Sequence, residues 1–227
     1  MTEFMTDALV ISILQIIAID IILGGDNAII IALACRDLPE RQKKLGILWG
    51  TAGAIILRVI LVFFATTLMA VPGLKLIGGL LLLWIGVKLL IENDGENEHK
   101  VNSSQGLMTA IRTIIIADFV MSLDNSIAIA AAAKGNMYLV VFGLLLSVPI
   151  IIAGSAIILK LMSRYPVIIS MGAGLLGWLA GDLIVHDPLL ESYLSLHIPY
   201  ANILVAGGLA AIVVTVGRAL AKRQKPV

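Results

Sequence analysis

Seven apolar runs dominate this chain, at residues 8–35, 46–71, 74–91, 107–133, 138–162, 166–185 and 200–220. Each reaches about 18 residues or more, enough for a helix to cross ~30 Å of hydrocarbon. Lipid offers a backbone no water to bond, and a helix satisfies its own N–H and C=O groups. The expected fold class is therefore an all-α integral membrane protein with seven transmembrane helices. The separators are recognisable: a charged loop from Arg36 to Lys44 with Pro39, the turn Val71-Pro72-Gly73, an acidic stretch from Glu92 to Gln105, and a loop with two prolines from His186 to Pro199. Only 14% of the residues are charged, against about 25% in a soluble domain, which leaves little room for a soluble domain. The net charge of +1 gives no nucleic-acid footprint. Cys35 is the single cysteine, which excludes an intrachain disulfide and a cysteine-built metal site. Met1 to Asp7 holds two acids and no Lys or Arg; it lacks the basic start of a cleaved signal peptide, so the first run is expected to be a retained helix.

Loop charges set a direction. Arg36, Arg41, Lys43, Lys44, Lys100, Lys160, Arg164, Lys222, Arg223 and Lys225 fall on one side of a seven-span layout, and Lys75 and Lys134 on the other. The positive-inside rule then predicts an external N-terminus and a cytoplasmic C-terminus in a multi-pass cell-membrane protein.

The polar residues inside the spans are few, and they repeat. Ile19-Asp20-Ile21-Ile22-Leu23-Gly24-Gly25-Asp26-Asn27-Ala28 returns ninety-eight residues later as Ala117-Asp118-Phe119-Val120-Met121-Ser122-Leu123-Asp124-Asn125-Ser126. Further on, Ile77-Gly78-Gly79 to Leu90 resembles Met171-Gly172-Ala173-Gly174 to Ile184 at an offset of 94, which aligns Pro72 with Pro166. Three spans per repeat is odd, so the second repeat is expected to be inverted, with the seventh helix outside it. The resulting division is 1–91 for the first three-helix repeat, 92–106 for an acidic linker, 107–185 for the inverted repeat, and 186–227 for the outer loop, seventh helix and basic tail.

Ionisable groups at membrane depth are costly and mark ion or proton pathways. Two equivalent sets suggest a transporter whose site lies where the repeats meet. At about 100° per residue, Asp20 and Asn27 share a helix face, about 10 Å apart along the axis, and Asp26 lies one step round from Asn27. One straight helix cannot bring Asp20 and Asp26 to a single ion. Either the helix unwinds at Gly24-Gly25, freeing carbonyls as ligands, or an antiparallel repeat sets Asp20 level with Asp124 and Asn125, and Asp118 level with Asp26 and Asn27. The second copy reads Ser122-Leu123 in place of the glycine pair, so the break argument is weaker there. Asp20, Asp26, Asn27, Asp118, Asp124 and Asn125 are the candidate metal residues. Carboxylate and amide oxygens without imidazole or thiolate suit magnesium, calcium or manganese rather than zinc or copper. Protons compete for the same oxygens, which offers a route to proton-coupled exchange.

Simpler readings exist for each group. An intramembrane Asp–Asn pair can merely bond helices together. Gly78, Gly79, Gly172 and Gly174 read as close-packing positions rather than ligands. Lys88 and Asp182 are repeat-equivalent and read either as a snorkelling lysine and an interfacial acid or as a pair across the pseudo-twofold. Arg58, deep in the second span, is expected to neutralise part of the aspartate charge. His186 and His197 read as solvated loop residues. Glu92, Asp94, Glu96, Glu98 and His99 read as a solvated linker, with metal sensing as the sharper alternative.

The Gly24-Gly25-Asp26-Asn27-Ala28 motif, its Ser122-Leu123-Asp124-Asn125-Ser126 echo and the seven-span layout resemble the TerC integral-membrane family, in its short bacterial branch, over essentially the whole chain. The resemblance implies kinship with cation and amino-acid exporters; related members are associated with manganese efflux, others with tellurite resistance or with metal supply to exported enzymes. It favours manganese as transported substrate, with no resident cofactor, and implies the six residues above as its pathway. The expected function is a secondary exporter of divalent metal, in exchange for protons. The alternatives are a small-solute or amino-acid exporter, with Arg58 as the deep cationic partner, and a non-transporting membrane partner in metal stress or metal delivery. No nucleotide-binding loop or nucleophile–base pairing is present, so no enzyme activity is expected. The expected partners are the lipid bilayer, a divalent ion and protons, without nucleic acid; a homo-oligomer stays open.

Overall fold

The structure is a computed structural model that describes residues 2–69, 71–91, 103–191 and 200–223. The acidic run with Glu92, Asp94, Glu96, Glu98 and His99, and His197 in the outer loop, lie outside the described residues. The described residues form helices and connecting turns without a strand: α1 (Thr2–Leu23), α2 (Gly25–Cys35), α3 (Glu40–Met69), α4 (Leu74–Ile91), α5 (Ser103–Ala132), α6 (Met137–Arg164), α7 (Val167–Val185) and α8 (Ala201–Arg223). Six are long and apolar enough to cross a membrane, and the α1–α2 pair makes up to a seventh.

The first apolar run is broken. α1 and α2 meet at an angle of 51°, and Gly24 sits between them at φ −112°, ψ 12°. Its N–H bonds Asp20 O at 2.9 Å, and Asn27 N–H bonds Gly24 O at 3.0 Å. A Cβ on Gly24 would stand 2.5 Å from Asp20 O and 2.9 Å from Asn27 Nδ2, whereas one on Gly25 would meet nothing within 4 Å. The close approach therefore needs glycine at position 24 alone. The second copy of the motif runs straight through α5. Elsewhere the punctuation acts locally. Lys134 and Gly135 take φ 51° and 77° in the α5–α6 turn, and Asn136 caps α6 by accepting from Tyr138 N–H at 3.0 Å.

Tight pairings organise the bundle: α3 along α5, α1 and α2 along α6, α4 along α7, and α7 along α8. Small residues permit the approach, as expected where lipid gives helices no hydrophobic drive to associate. Gly50 and Gly53 of α3 receive Ile114 and Ile115 of α5; Gly143 of α6 receives Ile16 of α1. Gly78 of α4 lies against Val120 of α5, and Gly172 of α7 against Ile29 and Leu33 of α2. With Gly79 against Ile184 and Gly174 against Val214, all four of these glycines are packing positions. Phe63, Phe64, Trp84 and Leu145 lie exposed around the outside, where a bilayer would cover them.

α4 and α7 run antiparallel, because Gly79 meets Ile184 and Ala180 while Gly86 meets Ala173 and Leu176. That register sends Lys88 and Asp182 to opposite ends of the pair, so they are not partners. The Lys88 ammonium lies 5.2 Å from the Trp84 ring centroid, and Asp182 faces His186 Nδ1 at 3.4 Å.

Candidate functional site

Five polar side chains from four helices converge in the apolar interior. Asp20 belongs to the last turn of α1, Arg58 to the middle of α3, Asp118 and Ser122 to α5, and Ser147 to α6. All five are buried, none more than 4% exposed. The Arg58 guanidinium joins them. Nη1 donates to Asp20 Oδ1, Nη2 to Asp118 Oδ1, and Nε to Ser122 Oγ at 2.9 Å. Ser122 Oγ donates onward to Asp118 Oδ2 at 3.2 Å, and Ser147 Oγ donates to Asp20 Oδ2. Two repeat-equivalent carboxylates thus share one cation. Burying such charges costs several kcal/mol per ion before pairing, which a rigid, multiply hydrogen-bonded fork offsets.

Just past the break the environment changes. Asn27 Oδ1 and Nδ2, Asp26 Oδ1 and Thr51 Oγ1 are buried without a hydrogen-bond partner. Asn27, Thr51, Arg58 and Asp118 line a cavity of about 10 Å³ otherwise walled by isoleucine and alanine, near the smallest volume that holds one water. Orphaned polar atoms are rare in protein interiors. Here they collect beside the break in the helix.

In the second copy the aspartate and the asparagine each have a partner. Asn125 Nδ2 donates to Leu23 O at 3.1 Å, a carbonyl at the end of α1. Asp124 makes an ion pair with Lys75 Nζ at 2.7 Å, although the angle is off that of a directional hydrogen bond. Lys75, in the first turn of α4, is itself buried.

The structure therefore joins Asp20 to Asp118 through Arg58, places Asp26 and Asn27 next to that pair, and turns Asp124 and Asn125 towards Lys75 and Leu23. The expected pairing of Asp20 with Asp124 and Asn125 gives way to this one, because Arg58 attracts both interior carboxylates while Lys75 holds Asp124. Among the described residues no three His, Cys, Asp or Glu side chains converge as a metal cage. What converges instead is a mixed set of carboxylates, amide and hydroxyl groups around a guanidinium. Sequence reasoning passed over Thr51 and Ser147 and counted Lys75 only as a loop charge. Thr51 had a signal, because it precedes Arg58 by two helical turns and shares its face. Ser147 is an isolated serine in an apolar helix and had none.

Known proteins locate the chain. The profile of the integral membrane protein TerC family matches residues 5–225. The uncharacterized membrane protein YjbE of Bacillus subtilis is 46% identical over 82% of this chain and 85% of its own length. YkoY of the same organism is 26% identical over 93% and 74%, and the inner membrane protein YgdQ of Escherichia coli K12 is 26% identical over 83% of each. No solved structure matches the chain. With a profile spanning nearly every residue and a relative this similar over most of both lengths, the chain belongs to the integral membrane protein TerC family.

Proposed function

We propose that this protein is a secondary transporter exporting a divalent cation, with manganese favoured by family resemblance, through the Asp20–Asp118 cluster and the adjoining Asp26 and Asn27. The observation that carries the reading is the meeting of two repeat-equivalent carboxylates at one buried arginine beside a broken helix. Broken helices near the midplane supply freed backbone groups and a hinge in many transporters. The packing of α3 on α5 and of α2 on α6, and of Gly78 and Gly172 on the motif helices, supports an inverted pair of repeats.

In this reading Arg58 is a tethered counter-ion. It holds the two carboxylates while they carry no cargo, and a divalent ion competes with it for the same oxygens. Asp26 Oδ1, the Asn27 amide and Thr51 Oγ1 supply further hard ligand atoms that have no hydrogen-bond partner. Protons compete likewise, which makes proton exchange the natural coupling. Export of an amino-acid carboxylate fits less well, because the cation it would need is already bound to two aspartates. Nothing in this scheme requires catalysis of a covalent step. In this reading the loop charges put the N-terminus outside and the C-terminus in the cytoplasm.

The test is manganese flux in liposomes holding the purified protein and a pH dye. Manganese movement accompanied by opposite proton movement, lost in Asp118→Asn, is the expected result. Wild-type flux in Asp20→Asn and Asp118→Asn proteins overturns the reading.

A further inference from the structure

A second polar feature lies away from the aspartates, on the face that carries the basic loops. A cleft of about 620 Å³ opens between the α2–α3 loop, the end of α6 and the start of α7. Its charged lining is Arg36, Asp37, Glu40, Lys43, Lys44 and Lys160. Both acids are already used: Asp37 binds Arg36 Nε at 3.0 Å and Glu40 binds Lys43 Nζ at 2.8 Å. Lys44 and Lys160 have no ion pair among the described residues. The Arg36 side chain is only 6% exposed; its Nη2 donates to Leu89 O at 2.6 Å, while its Nη1 is buried without a partner. The lining therefore has a surplus of positive charge and an unmet donor.

The repeat identifies what is missing there. Pro72 and Pro166 align, which makes the start of α4 the counterpart of the start of α7. The α4 end receives an anion from within the chain. Asp187 accepts from Gly73 N–H and Leu76 N–H, both at 3.0 Å. The α7 end begins at Pro166, which lines the cleft and offers no side-chain cap. A helix start carries partial positive charge and attracts anions. Pro166, at the start of the 19-residue α7, lines this cleft of surplus cations.

We propose that this cleft binds a phosphate group, of an anionic phospholipid or of a soluble phosphate, with Lys44, Lys160 and Arg36 as its cationic partners at the start of α7. Leu159 and Ile169, also in the lining, give a lipid's acyl chain an apolar path out. The proposal rests on these contacts alone and is independent of the transport reading.

The test uses the full-length protein in detergent. It is titrated with phosphatidylglycerol, with phosphatidylcholine and with inorganic phosphate, and bound ligand is read by native mass spectrometry and thermal shift. The variants are Lys44→Gln, Lys160→Gln and the pair together; both lysines are exposed, so folding is not at stake. Phosphatidylglycerol is expected to be retained over phosphatidylcholine, with affinity falling roughly five-fold per lysine removed. Inorganic phosphate that binds with the same lysine dependence and displaces the lipid supports the site and assigns it to a soluble anion. Binding of neither anion, or binding that is indifferent to both lysines, overturns the proposal.

Discussion

The two copies of the Asp–Asn motif share their two aspartates and their asparagine and are built differently. In the first, Gly24 breaks the helix, and Asp26 and Asn27 lie beyond the break with polar atoms unbonded. In the second, Ser122 stands where Gly24 does, the helix continues, and the serine hydroxyl accepts from Arg58 and donates to Asp118. Asn125 then satisfies Leu23 O at the end of α1, and Asp124 has Lys75. One copy has partners for its carboxylate and its amide; the other is broken at a glycine and has an unbonded amide. On the proposed transport reading the copy in α5 is scaffold and the copy at the break offers its atoms to a cargo.

The largest expected effect comes from removing the cation that both copies share. Arg58→Gln leaves Asp20 and Asp118 buried without a counter-charge, at a cost of about 3–5 kcal/mol. If Arg58 stands where cargo charge belongs, manganese should raise the melting temperature of Arg58→Gln protein more than that of wild type. Arg58→Lys keeps the charge without the fork and should fall between them. A variant destabilised as expected but unresponsive to manganese would separate the ion pair from the cargo site and break the comparison at its centre.

Next is the residue that differs between the copies. Gly24→Ala drives a Cβ to 2.5 Å from Asp20 O, with an overpacking cost of about 1–3 kcal/mol. Gly25→Ala meets open space and should be neutral or slightly stabilising, by up to ~1 kcal/mol from helix propensity. Melting curves of the two alanine variants check this directly; equal losses would mean that the break does not depend on position 24.

The asparagines test the division of labour. Asn125→Ala removes the exposed hydrogen bond to Leu23 O and should cost about 0.5–1.5 kcal/mol. Asn27→Ala removes a side chain with no hydrogen bond, so stability should hold while manganese flux falls. Reversal of that pattern, with Asn27 the more stabilising, would exchange the roles assigned to the copies.

Much of this was legible in the sequence, for physical reasons. Membrane spans announce themselves by length and hydropathy, and intramembrane charge is rare enough that Asp20, Arg58 and Asp118 are conspicuous. The choice between a broken helix and an antiparallel pairing was open, because glycine permits a break without demanding one. What decided the carboxylate partners was Arg58, whose reach across three helices depends on where α3 lies against α5. Lys75 was counted only among the loop charges, and its burial against Asp124 follows from the approach of α4 to α5, which no local pattern encodes. Lys88 and Asp182 align in the repeats, which left a pair across the pseudo-twofold open beside a snorkelling lysine and an interfacial acid; the antiparallel register of α4 and α7 sends them to opposite ends.

The smallest expected effect concerns the same repeats at their edges, where α4 is capped from within the chain and α7 is not. The Asp187 carboxylate is fully covered, though by the donors wrapped around it rather than by depth. That covering alone would raise its pKa, but backbone N–H groups of Leu189, Leu76, Gly73 and Lys75 outweigh it and hold the carboxyl below the usual carboxylate range. The sign follows. A carboxyl with a lower pKa folded than unfolded adds stability above its unfolded value of about 3.9, and that stability is lost as pH falls through the folded value. Asp187→Ala should therefore cost about 1 kcal/mol near neutral pH, as for other lost helix caps. The gap between wild type and variant should stay level down to about pH 5 and narrow below about pH 4. Other carboxylates titrate in both proteins and largely cancel in the difference. Thermal melts of the two proteins across that range measure it. A gap that stays constant into acid would assign the contribution of Asp187 to packing rather than to its charge on the start of α4, and the contrast with the uncapped α7 would lose its electrostatic basis.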